Sequence, residues 1–256
     1  RFLRAIRQVK SYLKDNQIDV VAGFGGYASA PAYLAAKSLG VPSVVHEANA
    51  LPGWANKLGA KSAKAVGVTF KSTPIEKATF VGMPLRKEIE ALAAGSDKES
   101  ARLHFGLDPD TITLLVTGGS LGAKRINETI ENSRRVLSAA GIQVLHIMGG
   151  RSELPEVHEK DYVRIAYCDR MDLAIAASSF AVSRAGASTV SEFSALGLPA
   201  AYVPYPVGNG EQKLNVADVV DGEGGLLVLD ADFDEAFVAN TLVSLISNSR
   251  ALAEMA

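Results

Sequence analysis

Three times along this chain a short apolar run ends in glycine or other small residues and passes directly into a helical stretch. The runs are Asp19–Phe24 before Gly25-Gly26-Tyr27, Thr111–Thr117 before Gly118-Gly119-Ser120-Leu121-Gly122-Ala123, and Phe180–Ser183 before Arg184-Ala185-Gly186-Ala187. Strands linked through helices pair in parallel, because a parallel partner needs a long crossover. Further strands are expected at Pro42–Glu47, Ala65–Phe70, Gln143–Met148, Ala200–Val203 and Leu226–Val228. Several lack polar alternation, as strands buried on both faces do. Helices are expected at Ser29–Leu39, Lys124–Ala139, Ala187–Leu196, Gln212–Val220 and Phe233–Ile246. Gly40, Gly141 and Gly197 each follow a helical run, where a left-handed residue ends a helix. The pattern predicts an α/β protein.

Charge is unevenly spread. Residues 1–86 hold 12 Lys/Arg and 4 Asp/Glu, net +8; residues 87–256 hold 14 and 24, net −10. One βα series stops near Gly82-Met83-Pro84-Leu85-Arg86 and another begins after Leu107-Asp108-Pro109. This predicts two domains, 1–86 and 87–256, a number that 256 residues accommodate. A basic half points to an anionic partner, nucleic acid or an acidic membrane surface; solvated helix faces that happen to segregate are the competing account. Arg1–Lys14 sharpens the choice. Phe2, Ile6, Val9 and Leu13 fall on one stripe, while Arg1, Arg4, Arg7, Lys10 and Lys14 carry charge, which suits a membrane surface. The same pattern suits a helix packed on a core with a basic outer face. Nucleic acid is not expected, because the half lacks basic residues interleaved with aromatics.

Other classes fall away. A single cysteine, Cys168, excludes a disulfide framework and a cysteine-rich zinc site, and fits a reducing compartment. No apolar run reaches the roughly 18–20 residues of a spanning helix. The chain opens at Arg1 inside a helical pattern, with neither initiator Met nor signal peptide, so residues are expected to precede it. No metal is expected: Asp230-Ala231-Asp232-Phe233-Asp234 reads as helix-cap acids and Asp108-Pro109-Asp110 as turn chemistry.

The strand-to-helix junctions carry the candidate chemistry. Gly118–Ala123 brings backbone N–H groups, a helix N-terminus and the Ser120 hydroxyl within reach of a phosphate, but lacks the Gly-Lys-Ser/Thr ending of a Walker loop. Gly23–Tyr27 lacks a complete dinucleotide fingerprint. At Ser183–Glu192 a run of small residues admits a ligand, and Glu192 offers a carboxylate to a pair of neighbouring hydroxyls such as a ribose diol; a first-turn acid favoured by the helix dipole is the alternative. In the Pro- and Gly-rich loop Pro204–Gln212, Gln212 and Asn215 are possible donors to phosphate. His46-Glu47-Ala48-Asn49 gathers an imidazole, a carboxylate and an amide at the end of a strand, where His and Glu suit acid–base work.

Together, Gly23–Tyr27, His46–Asn49, Gly82–Arg86, Gly118–Ala123, Arg184–Glu192 and Glu211-Gln212 resemble, in order, the motifs of the peptidoglycan N-acetylglucosaminyltransferases of glycosyltransferase family 28. The resemblance spans essentially the whole chain. It implies a GT-B fold, two Rossmann-like doubly wound parallel-sheet domains with a cleft between them. The first would be the C-terminal part of the acceptor- and membrane-facing domain and the second the donor-binding domain. The implied activity is metal-independent, inverting transfer of N-acetylglucosamine from UDP-GlcNAc to the muramoyl 4-hydroxyl of lipid I, undecaprenyl-pyrophosphoryl-MurNAc-pentapeptide. No cofactor is implied. The implied location is peripheral, at the cytoplasmic face of the bacterial plasma membrane.

Carried over by position, the resemblance puts Ser120 on the donor diphosphate and Glu192 on the ribose hydroxyls. The backbone of Ala187, Ser188, Thr189, Val190 and Ser191 would line the nucleotide, and that of Cys168 would read uracil. Gln212 would reach donor sugar or phosphate, with Arg86 and Asn49 completing the donor site. Tyr27, His46, Glu47 and Asn127 would lie toward the acceptor, with Glu47 the sole catalytic candidate named. Met83 departs from the Asn usual in the family. The family's Gly-Gly-Thr-Gly-Gly-His loop, with the His often proposed as base, and its final helix are expected beyond the two ends of this sequence, which leaves the base unassigned. Two other readings share these motifs: a related GT-B enzyme such as a UDP-GlcNAc 2-epimerase, and a non-catalytic UDP-sugar-binding subunit.

Overall fold

The computed structural model describes residues 1–92, 95, 97–119 and 123–256. Internal contacts divide the chain into two compact units, Arg1–Pro84 and Leu85–Ala256. The division falls two residues before the expected join, so Arg86 belongs with the second unit.

The first unit holds a four-stranded sheet in the order β1-β2-β3-β4, formed by Val21–Gly23, Ser43–Glu47, Ala65–Val68 and Thr79–Phe80, with every pair parallel. Helices α1 (Phe2–Asp15), α2 (Ser29–Leu39) and α3 (Trp54–Ala60) complete it. The stripe on α1 is largely used inside the unit: Leu13 packs with Ala35 and Ala36 of α2, and Ile6 and Val9 pack against that cluster. Phe2 and Leu3 remain exposed, beside exposed Arg1, Arg4 and Arg7. A second cluster joins Tyr33, Val45 and Val66. Gly23 is required by this packing, since a Cβ there would lie 2.0 Å from the Tyr33 hydroxyl.

The second unit holds a seven-stranded sheet in the order β11-β10-β9-β5-β6-β8-β7. Its strands are β5 (Thr113–Thr117), β6 (Gln143–Ile147), β7 (Val157–Glu159), β8 (Tyr162–Ile165), β9 (Phe180–Ser183), β10 (Ala200–Tyr202) and β11 (Gly225–Leu227). All pair in parallel except β7 on β8. Around them lie α4 (Lys87–Leu92), α5 (Lys98–His104), α6 (Lys124–Asn132), α7 (Arg134–Ala139), α8 (Met171–Ala176), α9 (Ala187–Ala195), α10 (Glu211–Asn215) and α11 (Ala217–Asp221). A closing helical run over 235–246 contains a π-helical turn, Val238–Leu242, ahead of Ser249–Met255. The core is continuous from Leu114, Val116 and Ile126 through Phe180, Val182 and Ala201 to Phe233 and Ile246.

Every expected strand is present. Gly141 and Gly197 take φ of 71° and 60°, and the next N–H in each case bonds back five residues, Ile142 N to Leu137 O and Leu198 N to Phe193 O, the Schellman closure of a helix. The expected helix over Lys124–Ala139 is broken at Ser133, and that over Gln212–Val220 at Val216. Asp230–Asp232 forms a 3₁₀ turn, and the residue that caps the next helix is Asp234, whose carboxylate accepts from Phe237 N at 2.8 Å.

Candidate functional site

The strand order of the second unit marks one place for a ligand. From β5 the chain winds outward through β6 and β8, then returns to β9 on the other side of β5 and winds away through β10 and β11. In an open α/β sheet, the loops leaving the strands on either side of such a reversal diverge and open a crevice at the carboxyl ends. Here those loops begin at Gly118 and Arg184. Gly119 takes φ 82°, and its N–H donates to Thr117 Oγ1 at 3.3 Å. Ser120 lies outside the described residues.

After β9 the chain extends through Gly186 and enters α9 without a side-chain cap. The first N–H groups of a helix have no intrahelical acceptor, and here they are left for an anion or a polar ligand. These belong to Ala187, Ser188 and Thr189; Val190 N is the first to close a turn, onto Gly186 O. Small side chains up to Ser188 let a ligand reach that backbone.

The approach to α9 is held from three sides. Arg184 Nη1 donates to Val203 O at 3.0 Å, to Pro204 O at 3.2 Å and to Asp230 Oδ1 at 2.5 Å, and its guanidinium lies over the Tyr205 ring. Gln212 Oε1 accepts from Tyr205 N at 2.8 Å and from Ala185 N at 3.3 Å. Asn215 Nδ2 donates to Ala185 O. Gln212 therefore ties the loops after β9 and β10 together. The sequence places Arg184 in a strand-to-helix motif and Asp230 among helix-cap acids but does not reveal their pairing; the two lie 46 residues apart, and only the sheet order brings them together.

One turn and a half into α9 stands Glu192. Arg86 grips it bidentately: Nε donates to Oε1 at 3.1 Å, and Nη2 to Oε1 at 3.0 Å and Oε2 at 3.1 Å. The Glu192 side chain is 12% exposed and that of Arg86 48%. The structure thus brings Arg86, the α9 N-terminus and Gln212 to one end of the sheet. Cys168, in the segment between β8 and α8, is buried, and burial raises its thiol above the usual thiol range.

Asn127 takes a different place. It is buried in α6, where Nδ2 donates to Met148 O at 3.0 Å, and Oδ1 accepts from His146 Nε2 at 3.0 Å. His146 Nδ1 in turn accepts from the Tyr162 hydroxyl at 2.7 Å. Burial, reinforced by nearby Arg164, lowers the His146 pKa to about 3, so the ring is a neutral structural link.

In the first unit, His46 Nε2 donates to Gly82 O at 2.9 Å, and the ring lies near Phe24. Glu47 is 4% exposed, and its carboxylate accepts from Asn49 N and Gly53 N at 3.0 Å and from Asn56 Nδ2 at 2.9 Å. It orders the turn from β2 into α3 and does not face outward. Asn49 is held in the same turn, its carbonyl accepting from Thr73 Oγ1. Tyr27 is 86% exposed.

A cavity lined by Ile112, Ser179, Pro199 and Leu252 lies at the amino ends of β5, β9 and β10, opposite the crevice. Among the described residues no group of three or more His, Cys, Asp or Glu side chains is placed to hold a metal ion, and no helix is long and apolar enough to cross a membrane.

Comparison with known proteins decides the family. The description "Glycosyltransferase family 28 C-terminal domain" matches residues 113–256, and "Glycosyltransferase family 28 N-terminal domain" matches residues 1–68. The chain belongs to glycosyltransferase family 28. Within the family it is 52% identical, over 99% of its length and 70% of the relative's, to the UDP-N-acetylglucosamine--N-acetylmuramyl-(pentapeptide) pyrophosphoryl-undecaprenol N-acetylglucosamine transferase of Clavibacter sepedonicus. It is 48% identical to the protein of the same name from Streptomyces coelicolor, covering all of this chain and 71% of that one. Among solved structures, MurG of Acinetobacter baumannii superposes with a TM-score of 0.75 at 25% identity, covering 99% of this chain and 72% of that one. The UDP-GlcNAc 2-epimerase of Neisseria meningitidis bound to UDP-GlcNAc gives 0.70 at 15% identity, covering 100% and 75%. At that identity the likeness is one of fold. The family's GT-B fold is the two parallel-sheet units described above.

Proposed function

We propose that this chain transfers N-acetylglucosamine from UDP-GlcNAc to the muramoyl 4-hydroxyl of lipid I, giving lipid II for peptidoglycan synthesis with inversion at the anomeric carbon. The observation that carries the reading is the 52% identity to a transferase so named, over nearly the whole chain. The site supports it, with a carboxylate and free helix N–H groups at the carboxyl ends of β5 and β9.

Inverting displacement builds positive character at the anomeric carbon and leaves negative charge on the departing diphosphate. The uncapped α9 N-terminus meets that charge with fixed N–H dipoles that need no reorganisation as the bond breaks. Glu192 accepts from the ribose hydroxyls and sets the nucleotide along α9, while the backbone near Cys168 reads the base. Gln212 acts chiefly by holding the two loops together. The acceptor proton is assigned to no residue here; Glu47, buried and fully engaged, orders its turn.

The first unit takes the acceptor and touches the membrane. Its net charge of +7, from 11 Lys/Arg and 4 Asp/Glu in residues 1–84, and the exposed Phe2, Leu3, Arg1, Arg4 and Arg7 at the start of α1 suit the anionic cytoplasmic leaflet, where each basic residue near the surface contributes about 1 kcal/mol. Nucleic acid is not part of this reading. Binding to vesicles should therefore rise with the anionic lipid fraction and fall with salt.

The test of function is a transfer assay with UDP-GlcNAc and lipid I, in the presence of EDTA, read by mass spectrometry of the lipid product. The expected result is lipid II, with UDP-glucose a poor donor. Release of a free epimerised sugar, or no transfer by a chain that binds the donor, would support an epimerase or a binding subunit instead.

A further inference from the structure

We propose that Arg86 is a specificity-determining residue, which masks Glu192 against ribose-bearing molecules without a diphosphate and yields it to those that carry one. The inference rests on the reading of this unit as the UDP-sugar site. A carboxylate has about four lone-pair positions for hydrogen bonds. Arg86 occupies three of them, two on Oε1 and one on Oε2. A ribose diol donates two hydroxyls and needs two acceptor positions. The diol and the full guanidinium grip therefore cannot coexist on Glu192, and at least one of the Arg86 bonds must open when a nucleoside enters.

What opening costs depends on what the guanidinium finds next. Arg86 is the half-exposed partner and Glu192 the largely covered one, so the arginine is the group free to swing. Both belong to the same unit, and the uncapped helix N-terminus that would meet a diphosphate begins five residues before Glu192. A nucleoside alone offers the displaced guanidinium nothing. A nucleoside diphosphate offers a new anion, and Arg pairs with phosphate oxygens at least as well as with a carboxylate. The ion pair thus acts as a gate that subtracts from the affinity of uridine and returns the loss to UDP and UDP-GlcNAc.

The test measures dissociation constants for uridine and for UDP on the full chain, by ligand-observed NMR and calorimetry, in the original sequence, Arg86→Ala and Arg86→Lys. Each is compared at a temperature where circular dichroism shows all three folded. Removing a competitor of this kind should tighten uridine roughly two- to fivefold. Loss of the phosphate contact should weaken UDP about tenfold or more. Arg86→Lys, a single point charge that cannot grip bidentately, should lie between for uridine. Added salt should tighten uridine in the original sequence and leave Arg86→Ala unchanged. Uridine binding that is unchanged or weaker in Arg86→Ala overturns the gate while leaving the donor site intact. Failure of the original sequence to bind UDP overturns the reading of the site, and the gate with it.

Discussion

Thr117 and Ser183 are register partners across β5 and β9, the last residues of the two strands at which the chain reverses its direction across the sheet. The loops that follow, starting at Gly118 and Arg184, consequently leave the sheet side by side. This pairing puts the start of the glycine-rich segment, Gly118-Gly119, and the uncapped N-terminus of α9 at one crevice.

In the proposed donor site Glu192 accepts from the ribose hydroxyls. Glu192→Ala should raise the KM for UDP-GlcNAc and the dissociation constant for UDP by about ten- to a hundredfold, the worth of hydrogen bonds to a charged group. Stability should change little, since the arginine released is half-exposed. Steady-state kinetics and thermal melts on the same preparations check both.

Asp230 closes the clamp on Arg184. Asp230→Ala leaves that guanidinium, 12% exposed, without its anion, and should cost about 1–3 kcal/mol of stability. Donor affinity should fall with it, because the loop leading into α9 loses an anchor. Urea denaturation beside a UDP titration separates the two effects.

Glu47 carries a structural load. Glu47→Ala removes the acceptor of the Asn49 and Gly53 N–H groups and one of the two acceptors of Asn56 Nδ2, and should destabilise the chain by about 2–4 kcal/mol. Denaturation of the variant checks this; a fully stable variant with lost transfer would return Glu47 to the acid–base role that its place beside His46 at a strand end suggests.

Those two carboxylates show what was legible in the sequence. Glu192 could be placed by its offset from a strand end, because the distance along a helix is fixed. Glu47, at the end of a strand beside His46, read as acid–base chemistry, and only the fold shows its oxygens turned inward onto the α3 turn. The parallel strands were legible for a similar reason: runs such as Thr113–Thr117 are apolar on both faces. β7 and β8 were not, because Val157–Ile165 is crowded with charge. Arg164, inside β8, is buried by pairing with Glu131 and donating to Pro155 O, a satisfaction no local pattern reveals. Gln212 and Arg184 read from the sequence as loop residues near a site, but their hydrogen bonds cross between strands far apart in sequence.

His146 gives the chain an acid-sensitive core. Its folded pKa is about 3 against an ordinary 6.5, so below pH 6.5 the unfolded chain takes up a proton that the folded one refuses. Its contribution is fully present above about pH 6.5 and is lost as pH falls toward 3, by an amount on the order of 3–5 kcal/mol. Denaturation followed from pH 7 to 4 should show stability falling with acid, and His146→Gln, which keeps a donor and an acceptor, should flatten that slope.

Calorimetric titration of UDP-GlcNAc in EDTA probes the proposed donor site at the carboxyl ends of β5 and β9. Binding should be saturable, UDP-glucose should compete for it poorly, and Glu192→Ala should weaken it at least tenfold. Binding of equal strength in Glu192→Ala, or none to the original sequence, would contradict the proposed site.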